Sequence, residues 1–203
     1  MFYVLFYYQG PAWAENYRAV RYHNSALSIV TATPTVKTLI LCQNCFIELN
    51  YPGKFKTNAI APLMFSREML PFLKKAADNS SMESLIVNMS SILGSVELNH
   101  PESGGGSGGG IYPYRSSKAA LNMITRSLSL DLKHLNTKAV AIHPGWVKTE
   151  MGGSHAPLTT EKSIFGVLSV INNFSSESHN GKLIDYTGKI LPFSPDVSLK
   201  MQK

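Results

Sequence analysis

"SLIVNMSS", residues 84–91, is an apolar run closed by two serines. Leu85, Ile86 and Val87 follow one another with no polar residue between them, so the in–out alternation of a half-solvated strand is missing. A short continuous run of this kind marks a strand whose two faces are both covered, as in a parallel sheet with helices on each side. "TLILC" (residues 38–42) and "AVAIH" (residues 139–143) read the same way. "YVLFYY" (3–8), "LSIVTA" (27–32) and "GKLIDY" (181–186) are the flanking strand candidates.

Helical segments alternate with these runs. Residues 12–22 follow the first strand, and residues 58–77 precede "SLIVNM", with Pro71 expected to kink the second helix near its end. After Pro113, the residues Ala120, Ile124, Leu128, Leu132 and Leu135 form a stripe at helical spacing. Thr159 or Thr160 is placed to cap a further helix with Ile164, Val167, Leu168 and Ile171 on one face. The alternation predicts an α/β fold, a Rossmann-like doubly wound parallel sheet in a three-layer αβα arrangement. The chain has 203 residues, 44% of them hydrophobic, which suits one domain over residues 1–203 with a single core. "ESGGGSGGG" (102–110) is expected to be a flexible loop inside a βα unit rather than a domain boundary.

Composition narrows the function classes. Mean hydropathy is −0.03, and no apolar run approaches the roughly 20 residues that span a bilayer. The opening "MFYVLFYY" lacks a basic start and a small-residue cleavage site, so a cytoplasmic protein without membrane partners is expected. Net charge is +6 and the pI about 9.3, but the basic residues are scattered and no aromatic–basic interleaving marks a nucleic-acid groove. Cys42 and Cys45 form a CxxC with no second Cys or His pair at zinc spacing. No metal is expected, and both are read as reduced thiols.

Ligands of such folds bind beyond the carboxyl ends of the strands. Ser90 and Ser91 end one strand there, and Pro144–Gly145 end another. The helix within "PYRSSKAALNMITRSL" (113–128) begins on the same rim with Tyr114 and Lys118, which are i and i+4 and share a face. A phenol, with an unperturbed pKa of about 10, needs a nearby cation to exchange a proton near neutrality. Lys118 supplies that cation one turn away, and Ser91 can donate to a carbonyl oxygen. Together they make a carbonyl-reduction device. Plainer readings stand beside the functional ones: Ser90 as a strand end, Asn58 as a helix cap, His143 as a buried strand residue, and Trp146 as plain packing rather than a wall of the substrate cleft.

These residues, with "TNAIAPLMFSREMLPFLKKA", "LIVNMSSILGS", "AIHPGWVKTEMGGSHAPLT" and "HNGKLIDYTGKILPF", resemble the short-chain dehydrogenases/reductases. Within that family the likeness is to the C-factor-like and sniffer-like carbonyl reductases, and it runs from about residue 55 to residue 193. The resemblance implies an NADP(H)-dependent reductase of ketones or aldehydes with a small-molecule carbonyl substrate. Tyr114 would be the proton donor. Lys118 would hydrogen-bond the nicotinamide ribose and lower the tyrosine pKa. Ser91 would orient the substrate oxygen, and Asn58 would hold a relay water near the lysine. Pro144, Gly145, Val147 and Thr149 would line the nicotinamide and phosphate side, and Asn44 the adenine ribose. The family's mode of assembly implies a homodimer through the helices at 58–77 and 116–135.

The sequence departs from the family pattern in its first quarter. The family's glycine-rich turn between first strand and first helix meets the cofactor pyrophosphate with backbone amides. No G-x-G-x-x-G follows a strand candidate here. Residues 3–32 look like the family's second strand, second helix and third strand, so the chain is expected to begin one βα unit late. "YVLFYY" and "TLILC" are then expected to close directly on each other or to leave a poorly ordered N-terminal quarter. Gln43, Asn44, Cys45 and Phe46 stand where the family has Asn-Asn-Ala-Gly, and Gln9 where an arginine could grip a 2′-phosphate. Weak NADPH binding follows as an expectation. It keeps a second reading open: a cofactor-incompetent relative serving as an interaction or signalling module, or an incomplete chain.

Overall fold

The computed structural model describes residues 26–32, 37–43, 51–78, 83–101 and 108–193. Six strands form one sheet in the order β1 (Ala26–Ala32), β2 (Lys37–Gln43), β3 (Ser84–Met89), β4 (Thr137–His143), β5 (Leu183–Asp185) and β6 (Ile190–Leu191). β2, β3, β4 and β5 are parallel neighbours, as the unbroken apolar runs require. Leu85, Ile86, Val87, Val140, Ala141 and Ile142 are almost fully enclosed.

Helices cover both faces. On one side lie a helical run from Tyr51 to Asp78 and α3 (Tyr112–Asp131). The first of these comprises α1 (Tyr51–Phe55), a π-helical turn (Lys56–Ile60) and α2 (Ala61–Asp78). Leu73 of α2 and Leu128 of α3 meet Ile86 and Ala139 there. On the other side α4 (Thr160–Asn172) packs Val167, Val170 and Ile171 on Leu85, Val87, Val140, Ile142 and Ile184. Thr159 caps α4, its hydroxyl accepting from the Lys162 amide. A short α5 (Ser176–His179) leads into β5.

Four expectations change. The sheet is not wholly parallel: β1 runs antiparallel to β2, because only residues 33–36 separate them and a parallel crossover needs a dozen or more. β1 therefore takes the place beside β2 that "YVLFYY" was expected to fill, and residues 3–8 and 12–22 lie outside the described residues. The helix expected at 58–77 begins at Tyr51, and Pro71 sits within α2, which continues to Asp78. The apolar stripe supplies only part of the buried face of α3: its Leu128 and Leu132 are core residues, and a polar row beside it is buried too. Ala120 and Ile124 are half-buried, while Ser117, Lys118, Leu121, Asn122, Thr125, Leu128 and Ser129 are enclosed.

Candidate active site

The polar inner face of α3 is explained by what it meets on β3. The helix runs down the strand against its direction, and side chains connect the two at successive levels. Thr125 Oγ1 accepts from Asn88 Nδ2 at 2.9 Å and donates to the Leu121 carbonyl. One turn higher, Ser90 Oγ donates to Asn122 Oδ1, and Asn122 Nδ2 donates to the Gly94 carbonyl at 3.1 Å. From the next turn of α3, Lys118 Nζ reaches back to donate to the Met89 carbonyl at 2.8 Å, at the carboxyl end of β3. Buried polar groups are tolerated when paired in this way, and each pairing fixes the height of the helix on the strand.

Lys118 is only 3% exposed, and its ammonium lies 5.8 Å from the centre of the Tyr114 ring. Ser91 is also buried, in extended backbone, and caps the short 3₁₀ turn Ile92–Gly94 by accepting from the Leu93 amide at 3.1 Å. A hydroxyl that accepts from an amide still has its own proton to donate. That turn packs hard on α3. A Cβ at Gly94 would stand 2.6 Å from the Lys118 carbonyl carbon.

Asn58 is fully enclosed in the π-helical turn, within a continuous helical run, so the helix-cap reading of this residue is excluded. Its Nδ2 donates to Ser117 Oγ at 2.9 Å, and Ser117 Oγ donates to the Tyr114 carbonyl at 2.8 Å. The chain Asn58–Ser117–Tyr114 ties the first helical run to the first turn of α3. Ser90 does more than end a strand, since its hydroxyl is part of the β3–α3 pairing.

After β4 the chain enters a self-bound loop. The Pro144 carbonyl accepts from Ser163 Oγ at 2.7 Å, joining the loop to α4. Gly145 has φ +85°, a left-handed conformation that favours glycine, and a Cβ there would press on the Leu158 side chain at 2.7 Å and the Tyr186 ring at 3.0 Å. Val147 bridges to Leu158, and Thr149 Oγ1 accepts from the Gly152 amide at 3.1 Å. Trp146, 57% exposed, donates from Nε1 to the Gly152 carbonyl. Thr149 thus closes the loop's own turn. Asn44 and Phe46 lie outside the described residues.

His143, the last residue of β4, has its imidazole pushed down from 6.5 to about 4. Burial is the main cause; the Asp185 carboxylate opposes it and the Lys118 ammonium adds to it. Ser117, Asn122, Thr125 and Gly94 were missed in the sequence. Asn122, four positions after Lys118 on the same helix, was the available signal.

Among the described residues no helix is long and apolar enough to cross a membrane. Ser91 and the Lys118 ammonium stand at the carboxyl end of β3 with the Tyr114 ring beside the ammonium, a donor set suited to an oxygen that gains negative charge. The short chain dehydrogenase family model matches residues 50–157, which contain all three. The chain is 40% identical over 139 residues to the C-signal protein of Myxococcus xanthus, covering 68% of this chain and 76% of that one. It is 31% identical to an uncharacterised oxidoreductase of Schizosaccharomyces pombe, covering 68% of this chain and 56% of that one. Carbonyl reductase Sniffer of D. melanogaster superposes with a TM-score of 0.63 at 39% identity, over 73% of this chain and 60% of the other. An NADPH-bound carbonyl reductase from chicken fatty liver gives a TM-score of 0.62 at 38% identity, over 70% and 56%. The chain thus spans little more than half the length of several proteins it matches, and within that span it belongs to the short-chain dehydrogenase family.

Proposed function

We propose that the protein is an NADP(H)-dependent carbonyl reductase in which Ser91, Tyr114 and Lys118 carry out the proton chemistry. The observation that carries this reading is the Lys118 ammonium, held almost completely out of water one helical turn from Tyr114. A buried lysine is costly unless its charge is used or paired, and this one is seated by the Met89 carbonyl beside a phenol.

In this reading the Ser91 hydroxyl donates to the substrate carbonyl oxygen and fixes its position. Tyr114 then gives its proton to that oxygen as negative charge develops on it. The Lys118 cation stabilises the phenolate left behind, and Asn58 acts through Ser117 to hold the turn bearing Tyr114. A reduced nicotinamide, when bound, supplies the hydride. The donor set fits the ribose end of such a cofactor: Lys118 and Tyr114 would hold the ribose, with Pro144, Gly145 and Val147 beside the ring. Relatives whose structures are described as NADPH- or NADP-bound support this choice of cofactor. The diphosphate end has no comparable support, because no glycine-rich turn follows a strand candidate.

Tyr114→Phe keeps the ring and removes the acidic proton. At millimolar NADPH, carbonyl-dependent NADPH oxidation is expected to fall about 10²- to 10⁴-fold, far more than the roughly several-fold loss of cofactor affinity from one missing ribose hydrogen bond. A variant retaining most of its turnover would refute the role of Tyr114. The absence of a glycine-rich turn after any strand candidate favours the second reading, a cofactor-incompetent relative serving as an interaction or signalling module, or an incomplete chain. An unmutated protein with no turnover on a panel of aldehydes and ketones at millimolar NADPH would refute the reductase reading in favour of a cofactor-incompetent one.

A further inference from the structure

His143 has no part in the chemistry just described, yet it stands in the middle of it. It shares the α3-facing side of β4 with Ala139 and Ala141, whose partners are Leu128 of α3 and Leu183 of β5. On one side its register partner is Asp185 of β5. On the other, the Ser90 amide donates to the Ile142 carbonyl, so the end of β3 lies alongside. The Lys118 side chain, fastened to Met89, comes down over this corner from α3. Met89 is the register partner of Ile142, next to His143, so the charges that act on His143 are those of Lys118 from α3 and Asp185 from β5. β3 contributes Asn88 and Ser90, which do not titrate in the relevant range.

Within this frame the His143 Nδ1 atom is buried with no hydrogen-bond partner among the described residues. A neutral imidazole tolerates that as a bare acceptor. An imidazolium cannot, because both of its nitrogens are donors and one would be an N–H buried without an acceptor. Protonation would also set a second cation beside the Lys118 ammonium, where Asp185 can offset only one. Asp185 is itself engaged, since its Oδ1 accepts from the Thr187 amide, the Thr187 hydroxyl and the Lys189 amide.

We propose that His143 is a positioning residue for Lys118, held uncharged between that ammonium and the Asp185 carboxylate so that a single cation stands beside Tyr114. The proposal rests on the reductase reading for its catalytic meaning, but the coupling of the three groups does not. The depressed imidazole pKa agrees with it.

The deciding experiment follows the imidazole resonances of His143 by NMR as the pH is lowered, without cofactor. Removing the ammonium by Lys118→Met is expected to raise the His143 midpoint by about half a pH unit or more. Asp185→Asn keeps the Oδ1 acceptor of the turn and removes the charge, and should lower the midpoint. A His143 that titrates identically in Lys118→Met and wild type overturns the proposal. Where turnover is measurable, the acid limb of kcat/KM should move to lower pH in His143→Gln, and an unmoved limb also overturns it. Absence of turnover in every variant would refute the reductase reading instead, and the NMR titration would still decide this one.

Discussion

At Gly94 the molecule has no room for a methyl group. The atoms that a Cβ would strike are the Lys118 carbonyl carbon at 2.6 Å and the Ala119 amide nitrogen at 2.8 Å, and backbone cannot swing aside as a long side chain can. Gly94→Ala must therefore displace the Ser91 turn or the first turns of α3, which between them carry the proposed proton chemistry. Overpacking of this kind costs about 1–3 kcal/mol, and in a domain of this size about 2–4 °C of Tm per kcal/mol. We expect a Tm several degrees lower and a loss of turnover, against a Tyr112→Ala control at a position 70% exposed. An unchanged Tm would mean that the turn and helix are less tightly joined than the geometry indicates. At this scale the sequence was legible where chemistry and helical spacing coincide, as at Tyr114 and Lys118. Gly94 was not, because in "SILGS" it looks like any turn glycine and its necessity comes from a helix distant in sequence.

At the scale of elements, the parallel strands were legible because a doubly covered strand leaves an unbroken apolar run. "SLIVNM" coincides with β3 residue for residue. The direction of β1 depended instead on the length of one link. The buried face of α3 was legible only in part because beside its apolar stripe runs a polar seam, in which Thr125 and Asn122 pair with Asn88 and Ser90 and Ser117 pairs with Asn58. The outward faces of α2 and α3 carry a further consequence. Met64 and Phe72 on α2 are 41% and 65% exposed, and Met123 and Leu130 on α3 are 66% and 58% exposed. Met69, by contrast, packs inward against the Leu73–Leu128 cluster and is no part of that surface. Large apolar side chains repeated along two outer helices favour burial against a second copy. We propose a homodimer through α2 and α3. Light scattering at tens of micromolar should give about twice the chain mass, reduced to a monomer by Met123→Glu with Leu130→Glu. A wild-type monomer at that concentration would remove the proposal.

For the whole molecule, the parts of a cofactor site are unevenly represented. The end that would face nicotinamide and substrate is built from β3, α3 and the loop after β4, and its side chains are mutually fixed from Thr125 up to Lys118. The end that would face diphosphate requires backbone amides converging at a strand-to-helix turn, where glycines let the chain approach the phosphates. No strand candidate in the sequence leads into such a turn, and its dense glycines lie at 104–110, between β3 and α3. Among the described residues, the place beside β2 is taken by the antiparallel β1. Diphosphate contacts made by a helix N-terminus are charge-assisted, about twice as strong as neutral hydrogen bonds. A site without several of them loses several kcal/mol, and each 1.4 kcal/mol is a tenfold change in Kd. The 203-residue chain should therefore bind NADPH only in the high-micromolar range or weaker, while the surroundings of Tyr114 and Lys118 stay intact. Fluorescence titration of the purified chain with NADPH measures this directly, with the His143 NMR signals reporting in parallel that the corner beside Lys118 is folded. Binding at micromolar concentration or tighter would mean that residues outside the strand-to-helix pattern supply the missing donors, and the weak-binding prediction would fail.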